Sequence, residues 1–215
     1  MLRELIYDVA QQQIHSTGQL WNYRFSGNTL EMMVTPDYTD DPEAYRNGVI
    51  QTGRVLQALE GELTGSGRIL QIQSFPSLDE SRLVAVARLQ QTYGPGINGM
   101  QASTDAPPQT KSLLKSYASQ LSLSYQQLPE EAFKSLETEI EIRSNLASNP
   151  VYFALCSAID NPFIWLKTGK WIEKVQMDLP KISPRITYDL PSAQRSEIAA
   201  GLKYCNYVQA VIDPA

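Results

Sequence analysis

The chain has one histidine and two cysteines in 215 residues. A structural zinc site takes four Cys or His ligands, so that chemistry is nearly excluded. A Ser-His-Asp triad would have to use His15, and no G-x-S-x-G turn is present. The G-x-x-x-x-G-K-[ST] phosphate loop is missing too. Cations are outnumbered: 18 Lys and Arg stand against 23 Asp and Glu, a formal charge of −5. An acidic chain suits solubility and argues against nucleic acid, whose phosphates need a basic face. No apolar run nears the ~20 residues of a membrane span. The opening M-L-R-E-L-I-Y-D carries acids and no long apolar core, so no secretory signal is expected there. Cys156 sits in an apolar run, where an inert buried thiol is the ordinary reading. The expected compartment is the cytoplasm.

What is present is patterned. Hydrophobic residues make up 42% and charged residues 19%, values of a folded protein. The length suits a single domain over residues 1–215, with Gln90–Thr110 as a linker or lid. Leu2, Leu5, Ile6, Val9 and Ala10 recur at helical spacing. Trp21, Tyr23 and Phe25 alternate with Asn22, Arg24 and Ser26; Gly27-Asn28 is a turn, and Leu30, Met32 and Val34 return. Trp21–Val34 is therefore an aromatic hairpin. Before it lies a polar elbow of Ser16, Thr17, Gly18 and Gln19. Such an elbow either holds a planar polar ligand or joins two elements.

A helix is expected from Pro42 to about Leu63, capped by Asp41. Gly48 and Gly53 interrupt it. A mid-helix Gly costs about 1 kcal/mol against Ala, so the pair implies close approach of a neighbouring helix or a ligand. Asp37, Asp40, Asp41 and Glu43 read as a solvated turn and helix start. Further strands are expected at Arg68–Phe75, Leu83–Leu89, Val151–Ser157 and Tyr207–Ile212. Further helices are expected at Lys111–Leu123, Pro129–Ser144, Phe163–Asp178 and Ser192–Leu202. Gly94–Gly99 reads G-P-G-I-N-G and fits G-x-G-x-x-G, but no helix starts there to hold a pyrophosphate. It is taken as loop.

Thr17-Gly18-Gln19-Leu20-Trp21 resembles the N-x-Q-P-W elbow of the nitroreductase-like flavoproteins, most closely their Acg-like branch. Gln19 and Trp21 match, while Thr17 stands for Asn and Leu20 for Pro. Arg46, Ile50, Gly53, Leu56 and Leu59 follow the family's "R…I-S-x-G-A-A-L-x-N-L" helix, with Arg54 in place of a small residue. Asp160, Trp165, Leu166, Gly169, Glu173 and Val175 follow its "D-x-P-x-x-W-L-R-A-G-Q-A-L-E-R-V" helix.

The resemblance implies an α+β fold, a nitroreductase-like central and mostly antiparallel sheet flanked by helices. It implies FMN as cofactor and a dimer, either of two copies or with a paralogue. Pro42–Leu63 and Phe163–Met177 would form the dimer contact. The implied activity is that of an FMN-dependent NAD(P)H oxidoreductase of unknown substrate. Thr17, Gln19 and Trp21 would line the flavin ring, with Gly53 and Gly169 allowing close approach and Arg46 and Arg54 as cations. No side chain need be catalytic, because the flavin carries the hydride chemistry. The branch's R-x-T-x-R run should fall at Tyr117–Tyr125, where this chain has Y-A-S-Q-L-S-L-S-Y and no Arg. A dianionic phosphate out of water needs several charge-assisted donors. Arg46, Arg54, Lys167, Lys170 and Arg195 remain as candidates. The alternative is a flavin-free or flavin-sequestering nitroreductase-like scaffold or partner subunit that has lost the FMN phosphate site.

Overall fold

A computed structural model describes residues 2–13, 18–64, 66–91, 110–129, 152–178 and 185–213. Five helices and eight strands lie within them. The chain forms two compact units, Met1–Gln109 with Trp165–Lys174, and Thr110–Ile164 with Val175–Ala215.

The first unit holds α1 (Leu2–Gln13), β1 (Trp21–Ser26), β2 (Thr29–Val34), α2 (Pro42–Glu62), β3 (Arg68–Ser74) and β4 (Leu83–Gln91). The hairpin closes with Ser26 opposite Thr29. Of its two turn residues only Gly27 takes a positive φ, 59°, as a type II′ turn requires. The four strands pair antiparallel in the order β1-β2-β4-β3. Alternation buries Trp21, Leu30, Met32 and Val34 on one face, and α2 packs against β1, β2 and β3. Asp41 caps α2 by accepting from Ala44 N at 2.9 Å, and Pro42 opens the first turn. Val49, Leu56 and Leu59 form its fully buried stripe.

The second unit holds α3 (Thr110–Gln120), β5 (Ser124–Gln127), β6 (Phe153–Ser157), β7 (Arg185–Thr187), α5 (Ser192–Ala200) and β8 (Tyr207–Asp213). Its four strands pair antiparallel in the order β5-β6-β8-β7. Helix α4 (Pro162–Asp178) lies in chain order between β6 and β7, and its central stretch Trp165–Lys174 belongs to the first unit. On both sides of residue 110 the described order is thus helix, strand, strand, helix, strand, strand, with α5 added before β8. Both sheets share the same strand order. Each also has an irregularity in its central pair: opposite Val84 between Met32 and Met33, and opposite Gln209 between Leu155 and Cys156.

The α+β class and the antiparallel pairing agree with the sequence reading. The expected single central sheet is instead two sheets of four strands. The reason lies in β5, S-Y-Q-Q, and β7, R-I-T, which the sequence reading missed. They are short edge strands, and edges tolerate polar residues that hide the alternation. Without them β6 and β8 look like additions to the first sheet. The expected helix over Pro129–Ser144 and the Gly94–Gly99 loop fall almost wholly outside the described residues. Among the described residues no helix is long and apolar enough to cross a membrane.

Candidate functional site

The elbow before β1 is held by α2. Gln51 faces it with both ends of its amide: Oε1 accepts from Leu20 N at 3.0 Å, and Nε2 donates to Gly18 O at 3.3 Å. Leu20 O accepts from Thr35 N at 2.8 Å. A Cβ on Gly48 would stand 2.8 Å from that same oxygen, so the bare Gly lets the helix press on the elbow. Gln19 Nε2 donates back to Trp21 O at 2.8 Å. Trp21 is buried, its ring centroid 6.3 Å from that of Tyr23. Thr17 lies outside the described residues.

Gly53 and Gly169 mark where α2 meets the central stretch of α4. A Cβ on Gly53 would collide with Leu166 O and lie 3.1 Å from Gly169 Cα. A Cβ on Gly169 would collide with Ile50 O and lie 2.9 Å from Arg54 N. The contact is reciprocal: each glycine faces the carbonyl three residues before the other glycine. Thr52-Gly53-Arg54 repeats as Thr168-Gly169-Lys170, with both threonines fully buried. Each cation after a glycine reaches an acid on the opposite helix. Arg54 Nε meets Glu173 Oε2 at 3.1 Å, and Lys170 Nζ meets the Glu60 carboxylate at 3.0 and 3.1 Å. The close neighbour implied by the mid-helix glycines is therefore a helix. The two segments expected to face a partner subunit meet each other here within one chain.

Arg46 is buried on α2, its Nη1 3.4 Å from Asn47 Oδ1. Tyr38 and Tyr45, near it in chain order, form an aromatic trio with Trp165 of α4, with centroids 5.5 to 6.4 Å apart. Tyr45 OH donates to Ser81 O at 2.7 Å. Burial pushes its ionisation up, and Asp37 adds to this.

The second unit has its own polar cluster. Arg195 donates to Asp160 Oδ2 at 3.0 Å and to Leu190 O at 3.2 Å. Gln209, fully buried, donates to Ser157 Oγ at 2.9 Å and to Asp160 Oδ1 at 3.1 Å.

Gln19, Trp21, Arg46, Gly53 and Arg54 are thus brought into one unit with Gly169. The space beside both glycines is filled by helix backbone, Arg54 is neutralised by Glu173, and the Gln19 amide is spent on its own strand. A phosphate seeking Arg54, Lys170 or Arg195 would have to displace a carboxylate. Among the described residues no three His, Cys, Asp or Glu side chains gather as a metal ion would need. Sequence reading missed Gln51, although an amide between Ile50 and Thr52 on a buried helix face was the available signal. No family model matches the sequence, and neither does any curated protein.

Proposed function

We propose that this chain is a flavin-free nitroreductase-like scaffold, working in the cytoplasm as one half of a homodimer or beside a paralogue. The reciprocal Gly53–Gly169 crossing carries the reading. It gives to helix packing the close approach that a flavin ring would use, and its flanking cations are already paired. The test is retention of FMN. Purified chain is mixed with excess FMN, passed through gel filtration and scanned across the flavin bands. No retained flavin is expected; a yellow protein holding FMN in stoichiometric amount overturns the reading. Light scattering tests association, and a monomer with no co-purifying partner counts against the partner role.

A second reading is the FMN-dependent oxidoreductase of unknown substrate. One observation favours it: Gln51 ties the elbow of Gln19 and Trp21 to the helix that carries Gly53. It requires a partner to supply the phosphate-binding cations. NAD(P)H oxidation by the complex with FMN, above that of either chain alone, would support it.

A further inference from the structure

Cys156 and Cys205 stand 49 residues apart in the sequence, yet both are buried in one apolar cluster of the second unit with Leu128, Tyr152, Leu190 and Val208. Strand pairing brings them together. Cys156 lies on β6 opposite Val208, and Ser157 lies opposite Tyr207. The residue after Cys205 ties the approach to β8 onto β6, Asn206 N donating to Ser157 O at 3.2 Å. Cys205 Sγ donates to Tyr207 O at 3.5 Å, the residue opposite Ser157 and so next to Cys156 along the sheet.

The pair is asymmetric. Cys156 is fully buried on a central strand. Cys205 follows Tyr204, which is 96% exposed and held at φ 55°, and precedes the exposed Asn206. The neighbouring Cys156 holds the Cys205 thiol below the ordinary thiol range, while the neighbouring Cys205, and after it burial, push the Cys156 thiol above it. The thiolate is the reactive form, so Cys205 has both the better access and the easier ionisation.

We propose that Cys156 and Cys205 form an oxidisable dithiol that a hydroperoxide closes to a disulfide. The Cys205 thiolate attacks the outer peroxide oxygen, the O–O bond breaks, and the other oxygen leaves as water or alcohol after taking a proton. Cys205 is then a sulfenic acid. Cys156 loses its proton and attacks the Cys205 sulfur, and the hydroxyl leaves as water. Two thiols and one hydroperoxide become one disulfide, one alcohol or water, and one further water. The step is independent of any flavin.

The test uses the full chain and hydrogen peroxide. After treatment the protein is unfolded, alkylated and digested with trypsin. The expected product is a cross-link between the peptide ending at Lys167 and the peptide beginning at Tyr204, released by dithiothreitol. Cys156→Ser should leave Cys205 as a sulfenic acid trapped by dimedone, and Cys205→Ser should leave Cys156 unreacted. The wild-type chain alone decides the matter if either variant fails to fold. Two freely alkylated thiols, or two separately over-oxidised ones, would overturn the proposal.

Discussion

Arg195 shows what a buried cation demands. Its side chain is 6% exposed and that of Asp160 19%, so their ion pair is screened little by water. Removing one member of a buried pair leaves a desolvated charge behind, at a cost of about 3–5 kcal/mol. Asp160 also accepts from Gln209 and keeps some access to water, which favours the lower end. Arg195→Met should therefore lower the unfolding free energy by about 3 kcal/mol in urea denaturation. Arg24, 56% exposed and paired with Glu31 on the open face of the hairpin, gives the contrast. Arg24→Met should cost under about 1 kcal/mol. Tyr117 makes a second case. Burial, and after it a hydrogen bond with Asp178, pushes its phenol up to about 12. An unfolded tyrosine ionises near ~10. The folded state therefore keeps its proton longer, and the stabilisation present below that lower value is lost as pH rises through it toward about 12. In an alkaline ultraviolet titration, Tyr117→Phe should remove a step near that upper value.

The crossing of α2 with the centre of α4 reverses the usual helix rule. Ala in place of a mid-helix Gly ordinarily gains about 1 kcal/mol. Here a methyl on Gly53 or Gly169 collides with a backbone carbonyl, which has no rotamer to move aside. Overpacking of this kind costs about 1–3 kcal/mol, and rigid backbone puts both sites at the upper end. Gly53→Ala and Gly169→Ala should each destabilise by roughly 2 kcal/mol after the propensity gain. The double variant should lose less than their sum, because the first change already parts the helices. The glycines were legible in the sequence; their occupant was not. Periodicity showed the N-terminal helix through Ala10, the helix from Pro42 to about Leu63 and the Trp21–Val34 hairpin, since each buries one face and shows it locally. Pairing is non-local, so neither the two-sheet division nor the partners of Arg54 and Lys170 could be read. Arg54 looked like a spare cation until Glu173, 119 residues on, stood beside it.

A net charge of −5 does not by itself decide against an anionic cofactor; the flavin-free reading rests on the local pairing of charge. Arg54 and Glu173 are 14% and 10% exposed. Drawing Arg54 toward a phosphate would break its ion pair with the buried Glu173, at a cost of several kcal/mol that FMN would have to overcome. A cofactor that bound the folded chain at a hundredfold excess over its dissociation constant would add about 2.7 kcal/mol of stability. For a chain of this length each kcal/mol is worth about 2–4 °C, so a true FMN site would raise the melting temperature by roughly 5–10 °C. The chain alone should show no such rise with FMN, even at low salt, where phosphate attraction is strongest. Glu173→Gln then separates two causes. It removes the carboxylate charge that faces Arg54 while keeping the shape of the crossing. A variant that melts higher with FMN would show that the paired carboxylate alone blocks the cofactor. A variant that stays indifferent would trace the loss to the filled space beside Gly53 and Gly169. A rise of several degrees in the unmodified chain would refute the flavin-free reading, because paired cations and filled glycine faces leave no route to that much binding energy.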